Sequence, residues 1–416
     1  MKKVLLFAVL ACSSALFAQH RTCGTSQKIQ ELKQQDPSFA AHHEEVQAFI
    51  QNPNTAQNRF NGQQSPTVVV TIPVVFHVLY KNNSQNISDA QINSQLAILN
   101  ADFRKLNADF SSVVPAVYQP LGADVEIMFC KATQDPVGNP TTGITRKQVP
   151  NSFVFESSYF QASGQPAWDP TQYLNIWIGR FSNQGLLGFA YPPAAAGQPF
   201  DGLCIGDQFF GSTGTATAPF NKGRTATHEI GHYFGLEHIW GDDGSNCGTF
   251  ANSDGVADTP ATNAPYYDCP DFPDFTNACV FSGEGPMHMN YMDYVNDACM
   301  AFFTNGQKTI MRNTINGPRA SLLDSPGCTS LDVSEVEAIN AIAVYPNPVS
   351  QFFMITSPHT NIDKVEIFNQ NGQLVKTQTL ENINNRVYVD EFEAGVYFLR
   401  IYNQGQFVKS DKILKK

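Results

Sequence analysis

Short apolar segments alternate with polar turns over most of the chain, and their spacing predicts both strands and helices. Residues 67–80 are rich in β-branched side chains and predict a strand, which Pro73 places at a sheet edge or a bulge. Ser88 precedes a predicted helix over residues 89–106 and would cap it. Four apolar residues recur in this helix at helical spacing and predict a buried stripe: Ile92, Leu96, Leu99 and Phe103.

Further strands are predicted in the first half of the chain, at residues 125–130, 174–179, 186–191 and 201–206. A second helix is predicted to begin near Gly223. Residues 241–328 are dense in Asp, Asn, Gly, Pro and Cys, a composition that predicts little regular structure. Strands and a long helix, then a central helix and an irregular half, indicate an α+β domain.

Residues 330–416 have a different pattern. A polar join at 330–340 leads to segments in which apolar and polar residues alternate, and an Asn371-Gly372 pair predicts a tight turn between two of them. The alternating segments are 364–368, 386–389 and 395–402. This pattern predicts a small antiparallel all-β sandwich.

The N-terminus has the layout of a secretion signal over residues 1–18, with two lysines, an apolar run and a cleavage point after Ala18. The apolar run is too short to span a bilayer, and no other segment could cross one, so no membrane span is expected. Cys12 leaves a lipoprotein signal as an alternative. Residues 19–58 are too polar to build a core and predict a propeptide, and Arg59 is a candidate activation point.

Composition narrows the class of protein. The 416 residues are 42% hydrophobic and 15% charged, which allows a sizeable core. The net charge of −11 argues against a nucleic-acid partner, since such proteins present a basic face. Export also changes how the nine cysteines are interpreted, because most of them should pair in an oxidising compartment. Loss of Cys12 with the signal leaves eight, and sequence alone does not fix their pairing.

The strongest chemical signal is the motif H-E-x-x-H-x-x-G-x-x-H at residues 228–238. His228 and His232 stand four apart and therefore share one face of a helix, where both can bind zinc. Gly235 would let the chain turn so that His238 becomes the third ligand. A carboxylate at Glu229 would reach a zinc-bound water and take its proton as a general base.

This motif, with Gly-Arg-Thr-Ala-Thr before it and Asn-Tyr-Met-Asp-Tyr at residues 290–294, resembles the pappalysin family of metzincin zinc metallopeptidases over residues 67–328. The resemblance implies a twisted mixed sheet, an active-site helix and an irregular C-terminal subdomain. It also implies that strand 186–191 is the edge strand that pairs with extended substrates. Met292 would form a hydrophobic floor beneath the zinc, and Tyr294 would help to stabilise the oxyanion.

Other family features map onto the irregular half. The resemblance implies an acidic floor to the specificity pocket at Asp297, which would favour Arg or Lys at P1', although Asn296 beside it is an alternative position. It also implies structural calcium at Asp254 and Thr259, against the alternative of solvated polar turns. Finally, it implies two disulfides, Cys247–Cys279 and Cys269–Cys299.

The two ends carry their own resemblances. Arg-x-Cys-Gly at residues 21–24 resembles a cysteine switch, in which the Cys23 thiolate occupies the open zinc position, while an ordinary disulfide is the alternative. Residues 330–416 resemble a C-terminal sorting domain of type IX secretion, through Pro-Asn-Pro, Gly-Val-Tyr-Phe and the basic end. A substrate-binding β-module is the alternative for this segment.

Taken together, these patterns predict a secreted zinc endopeptidase made as a zymogen, which passes the periplasm to the cell surface or medium. Its segments would be a signal at 1–18, a propeptide at 19–58, a catalytic domain at 59–329 and a sorting domain at 330–416. Zinc and calcium are the expected ions, and protein or peptide substrates and the type IX machinery the expected partners. The alternatives are a binding protein on a degenerate protease fold and a zinc hydrolase of a non-peptide bond.

Overall fold

The computed structural model describes residues 20–52, 69–183, 185–242, 247, 254–279, 283–329, 342–357, 362–380, 385–403 and 405–416. The chain divides into two compact units, residues 1–329 and 330–416. The expected signal peptide, the candidate activation point Arg59 and the polar join at 330–340 lie outside the described residues. No helix in the described part of the chain is long and apolar enough to cross a membrane.

The first unit contains helices and strands in mixed order. Its helices are α1 Thr25–Gln35, α2 Pro37–Gln51, α3 Asp89–Phe103, α4 Phe110–Val113, α5 Phe155–Ser158, α6 Arg224–Tyr233 and α7 Asn305–Asn316. Its strands are β1 Val70–Tyr80, β2 Ile127–Lys131, β3 Ile144–Gln148, β4 Leu174–Gly179, β5 Gly188–Ala190 and β6 Leu203–Gly206.

These six strands form one mixed sheet in the order β2-β1-β4-β6-β5. Strand β3 also pairs with β1, on the same side as β2 and further along β1. All pairs are parallel except β5 with β6, so β5 is an antiparallel edge strand. Every residue of β4 is buried, as expected of a central parallel strand covered on both faces. The edge strand expected at 186–191 is thus present, over the shorter range 188–190.

The expectation that Pro73 marks an edge or a bulge is wrong, because β1 lies inside the sheet. Val70 N donates to Glu126 O and Ala132 N donates to Val74 O, so the even-numbered residues of β1 bond to β2. The nitrogen of Pro73 therefore faces β4, where pairing begins only at Val74. Its missing N–H costs no ladder bond at that point.

Helix α3 begins where the sequence predicts and ends earlier. The Ser88 side chain accepts a hydrogen bond from Gln91 N, as an N-cap does. Lys105 has a φ of 51°, which a helix cannot accommodate, so the helix stops at Phe103 rather than Leu106. Ile92, Leu99 and Phe103 are fully buried in the main core, which α3 forms with the sheet and α6, and Leu96 packs against its margin.

The irregular half is held by disulfides. The structure joins Cys247 to Cys279 and Cys269 to Cys299, the pairs that the family resemblance implies, and it adds Cys130–Cys328 between β2 and the end of the unit. Helix α7 was not predicted from the sequence. Thr304 and Gln307 form a capping box at its start, a local signal that the loop-like composition around it obscures.

Residues 25–51 form two helices that pack on the rest of the unit. Ile50 and Val46 of α2 are buried in the main core, and Leu32 of α1 packs against a second apolar cluster behind β5. Asp36 separates the helices, and its carboxylate caps α2 by accepting from Ser38 N. This polar segment therefore gains its order from a core that the remainder of the unit supplies.

The second unit is an antiparallel two-sheet domain. Its strands are β7 Ala343–Tyr345, β8 Phe352–Thr356, β9 Lys364–Phe368, β10 Leu374–Thr379, β11 Arg386–Tyr388, β12 Gly395–Asn403 and β13 Gln406–Lys415. One sheet has the order β10-β9-β12-β13 and the other β11-β8-β7. Alternate residues of the strands point into a shared apolar core, as in a sandwich. The predicted fold class, an α+β metzincin-type protease followed by a small all-β domain, is confirmed.

Candidate active site

The zinc motif lies on α6 and the turn that follows it. His228 and His232 project from one face of the helix. Gly235 ends the turn with a φ of +93°, and a Cβ there would lie 2.3 Å from the Ile50 side chain, so glycine is needed both for conformation and for space. The chain then reverses and brings His238 back towards the helix.

The three imidazoles converge. The Nε2 atom of His232 lies 3.2 Å from that of His228 and 3.1 Å from that of His238, and all three rings are buried. Together with Cys23 Sγ they form a group whose ligand atoms lie within 4.8 Å of one another. Three neutral nitrogens and one sulfur are a donor set that zinc accepts in tetrahedral geometry. The residues present therefore fit a zinc ion.

The outward nitrogen of each histidine has an oxygen partner. His228 Nδ1 lies 2.7 Å from Tyr291 O, His232 Nδ1 lies 2.7 Å from Leu236 O, and His238 Nδ1 lies 2.6 Å from Asp242 Oδ1. These bonds leave each Nε2 free as a lone-pair donor. Burial lowers the pKa of His232 to about 3 and that of His228 well below its usual range, so both rings stay neutral and able to bind metal.

Glu229 is buried beside this centre, and burial raises its pKa to about 7. Its Oε2 accepts a hydrogen bond from Thr25 Oγ1 at 3.0 Å and lies 3.3 Å from Cys23 Sγ. The backbone N–H of Cys23 donates to Tyr294 Oη at 3.2 Å. The segment around Cys23 therefore contacts all the side chains that the sequence assigned to zinc binding and catalysis.

Cys23 is a free cysteine in the structure, so the alternative of an ordinary disulfide for it is not realised. Its segment lies along β5 as an added strand. Cys23 pairs with Gly188 in parallel orientation, Leu187 N donates to Thr22 O, and Gly24 N donates to Gly188 O. Ala190 N donates to Thr25 Oγ1 at 2.8 Å and completes the row. Parallel pairing fixes the direction in which this segment crosses the site.

Asp297 is fully buried and binds an arginine from the same segment. Arg21 Nη2 lies 2.6 Å from Asp297 Oδ1, and the guanidinium also donates to Thr225 Oγ1 and lies over the Phe220 ring. Lys222 N donates to the other carboxylate oxygen at 2.7 Å. Arg21 was not predicted from the sequence as a functional residue, although it opens the Arg-x-Cys-Gly motif.

The alternative position, Asn296, does not take part in this contact. Its backbone N–H donates to Asp268 O at 2.8 Å, and the carboxylate that meets the guanidinium is that of Asp297. The fully buried pair of opposite charges marks this pocket as one that accepts a guanidinium.

Met292 and Tyr294 follow on a tight turn beneath and beside the histidines. Met292 is fully buried, and its sulfur would lie 2.4 Å from a Cβ at Gly231, so it packs directly under α6 without being a ligand. The Tyr294 ring lies 5.0 Å from that of His238 and 4.7 Å from that of Trp240. His288 is separate, since it contacts the rings of Tyr266 and Phe272.

Asp254 and Thr259 lie together in the irregular half. Thr259 Oγ1 is 2.7 and 2.9 Å from the two carboxylate oxygens of Asp254, and Val256 O accepts from the same hydroxyl. Burial raises the pKa of Asp254 to about 7. Among the described residues no cationic side chain pairs with this carboxylate.

Comparison with known proteins agrees with this geometry. Residues 140–316 match the peptidase family M43 model, described as pregnancy-associated plasma protein-A, and residues 343–416 match a secretion system C-terminal sorting domain. An extracellular metalloprotease of Arthroderma benhamiae is 31% identical over 58% of this chain and 76% of its own length. One of Arthroderma gypseum is 28% identical over 73% of this chain and 86% of its own length.

Solved structures extend the match. A Tannerella forsythia promirolysin variant is 38% identical with a TM-score of 0.64, over 73% of this chain and 97% of its own. Mature mirolysin of the same organism, in complex with a cleaved peptide, is 43% identical with a TM-score of 0.58, over 62% and 97%. The sorting domain implies export by type IX secretion, in keeping with the extracellular relatives. The chain belongs to the pappalysin family and is a secreted zinc metalloendopeptidase.

Proposed function

We propose that this endopeptidase is made as a zymogen in which residues 19–58 block the active site, and that the mature enzyme cleaves bonds followed by Arg or Lys. The observation that carries the proposal is the segment at residues 21–25. It places a thiol among the three histidines, a hydroxyl on Glu229 and a guanidinium on Asp297.

The roles proposed for the catalytic residues follow from their positions. Zinc held by His228, His232 and His238 would supply a Lewis acid and an activated water for attack on the scissile carbonyl. Glu229 accepts the proton of that water and delivers it to the leaving amine. Tyr294 donates its hydroxyl proton in a hydrogen bond to the oxyanion, since its oxygen only accepts in the bond from Cys23 N and its proton is not used there.

Latency is proposed to rest on the same contacts. Cys23 Sγ would be the fourth ligand of a zinc held by the three histidines, and Cys23 and Thr25 both contact the Glu229 carboxylate, so the segment would exclude water and substrate from the site. The promirolysin variant also aligns with a larger share of this chain than mature mirolysin does, 73% against 62%, which supports an N-terminal segment present in the precursor form. Removal of residues 19–58 by one cleavage would expose the three histidines, Glu229 and Asp297 together.

The Asp297 pocket supports the proposed specificity. A buried carboxylate with a guanidinium 2.6 Å away discriminates against neutral side chains, because such a side chain would leave the charge unpaired. In the propeptide the arginine precedes Cys23, whereas a P1' arginine follows the scissile bond. Substrates are therefore proposed to run along β5 in the opposite direction to the propeptide, so that the blocking strand presents no bond in a cleavable orientation.

We also propose a structural calcium ion at Asp254 and Thr259. A buried carboxylate with a raised pKa and no cationic partner among the described residues is stabilised by a bound cation, and oxygen donors suit calcium. The proposed precursor has its signal at 1–18, its propeptide at 19–58, its catalytic domain at 59–329 and its sorting domain at 330–416.

Time-resolved intact mass spectrometry of the full chain, with and without a zinc chelator, tests the zymogen. The expected result is chelator-sensitive loss of the N-terminal segment, faster in Cys23→Ala than in the parent. A Cys23→Ala variant that stays as latent as the parent would contradict the switch. Digestion of a peptide library by the matured enzyme tests specificity, with Asp297→Asn as the variant that should lose the Arg and Lys preference at P1' while still cleaving some bonds.

A further inference from the structure

Helix α1 covers a cleft that it does not fill. The cleft has a volume of about 440 Å³. Its propeptide side is formed by mostly polar residues of α1, namely Lys28, Glu31, Leu32 and Gln35. Its other wall combines four aromatic residues with the polar residues Glu156, Ser157 and Gln161, and we call the whole the aromatic cleft after Tyr159, Phe160, Tyr191 and Phe200.

The aromatic wall is a packed and continuous surface. The ring centroid of Phe200 lies 4.6 Å from that of Tyr191 and 5.9 Å from that of Phe160. The ring centroids of Phe160 and Tyr159 lie 5.0 Å apart. Tyr159 Oη donates to Phe200 O and fixes the two segments relative to each other. Tyr191 directly follows β5, so the wall continues the edge strand on which the propeptide lies. The aromatic cleft is therefore a preformed extension of the active-site groove.

The propeptide also shows on which side of the zinc site the cleft lies. Along the strand, Arg21 fills the Asp297 pocket, Cys23 reaches the histidines, and Thr25 bonds to Ala190 and begins α1. The Asp297 pocket and the aromatic cleft thus flank the histidines on opposite sides. If the Asp297 pocket receives the residue after the scissile bond, the cleft lies on the side of the residues before it.

The distance from the histidines can be bounded from the chain. Two residue steps lead from Cys23 to Thr25, at most the length of two extended residues, and seven helical steps lead from Thr25 to Leu32, the apolar side chain of α1 that packs on the second apolar cluster. At about 3.3 Å per extended residue and about 1.5 Å per helical residue, Leu32 lies within about 17 Å of the site. A substrate in extended form covers that distance in at most about five residues.

We propose that the aromatic cleft, uncovered when the propeptide leaves, is a substrate subsite for a large apolar side chain three to five residues before the scissile bond. The inference rests on the proposed function, because it uses the Asp297 pocket to orient the substrate. Leu32 indicates the chemistry of the occupant. The cleft is not filled by α1, so a side chain larger than leucine fits there.

The test compares peptides with the enzyme matured from the full chain. Peptides share an arginine after the scissile bond and carry phenylalanine or serine three, four or five positions before it. The parent enzyme should prefer phenylalanine at one of these positions by about ten-fold in kcat/KM. Phe160→Ala, Phe200→Ala and the double variant should reduce that preference to near one. Leu106→Ala, a change at a 73% exposed side chain outside the cleft, should leave it intact.

A short peptide whose N-terminal residue directly precedes the scissile bond serves as the internal standard, because it has no residue that could reach the aromatic cleft. All folded variants should cleave this standard at the parent rate. If the double variant cleaves it more slowly, the comparison uses the single variants that cleave it at the parent rate. The proposal is overturned if the parent shows no upstream preference for phenylalanine, or if the variants keep it. Replacing the arginine after the bond by alanine is a separate arm, because loss of arginine dependence would overturn the proposed specificity and not the cleft.

Discussion

Replacing Arg21 by alanine tests how much of the proposed latency depends on the Asp297 pocket rather than on the thiol. The Arg21 side chain is 2% exposed and makes an ion pair, a hydroxyl contact and a ring contact, all within the site. Removing one partner of a buried ion pair costs about 3–5 kcal/mol, because the remaining charge is left without its counter-ion. The substitution leaves Cys23 and every proposed catalytic residue in place.

The lower end of this range applies here. Asp297 keeps hydrogen bonds from the backbone of Lys222 and Arg224, at 2.7 and 3.3 Å, and water can enter the emptied pocket. A loss of about 3 kcal/mol raises the fraction of molecules in which the proposed propeptide is released about 150-fold. Because only that fraction can process itself or be cut, the rate of activation should rise by a similar factor, limited by the cleavage step itself.

The assay is the first-order rate at which chelator-sensitive mature enzyme appears, followed by intact mass at fixed protein concentration. Arg21→Lys should lie between the parent and Arg21→Ala, since a lysine restores the charge but not the forked contact to both Asp297 and Thr225. Lys33→Ala is the matched control, because its partner Glu44 is 71% exposed and such pairs contribute at most about 1 kcal/mol. An Arg21→Ala zymogen as latent as the parent would refute the reasoning.

Three further outcomes are expected. Glu229→Gln should retain zinc by metal analysis and lose about 10²- to 10⁴-fold in kcat, the range of a lost general base, and undiminished turnover would remove Glu229 from the mechanism. Calcium should raise the unfolding temperature of the parent but not that of Asp254→Asn. The rise in unfolding temperature should grow from pH 4 to pH 7, because burial keeps the carboxyl of the empty site protonated up to about pH 7 and calcium binds the ionised form. An equal gain in both proteins would place the ion elsewhere. Burial lowers the pKa of His43 in α2 to about 4, and the charge of Lys33 acts in the same direction while Glu44 opposes it. The His43 ring is therefore neutral in the docked segment, whereas in a released segment it protonates near pH 6.5. Docking should therefore weaken as pH falls from 6.5 to 4, by at most about 30-fold at pH 5, and His43→Gln should activate with a flatter pH profile; identical profiles would exclude His43.

What the sequence predicts well is what short-range chemistry fixes. The spacing of His228, His232 and His238 needs only one helix and one glycine turn, and both are present in the structure. Strand β4 was predicted with its observed ends, because a short and mostly apolar segment, interrupted only by Asn175, suits the middle of a sheet. The same logic misplaced Pro73, since sequence does not reveal towards which neighbour a strand residue points its nitrogen.

What the sequence does not reveal is long-range. Arg21 and Asp297 are 276 positions apart, and nothing near either residue indicates the other. Asp242 was missed although it lies only four positions from His238, because its bond to that ring depends on the irregular turn after α6. Helix α7 was missed for a different reason. Its capping box at Thr304 and Gln307 was present in the sequence, but the Asn- and Gly-rich composition around it resembles that of a loop.

The contacts of residues 21–25 imply how the proposed zymogen would be activated. The main-chain groups of Leu187, Gly188 and Ala190 that this segment uses belong to the edge strand proposed to receive substrate, so propeptide and substrate compete for one surface. A strand in the same chain has an effective concentration on the order of millimolar or more, which a free substrate seldom matches. We therefore expect that substrate alone does not displace the proposed propeptide. Cutting the connection between α2 and β1 removes that advantage, because the released segment then dilutes like any other peptide.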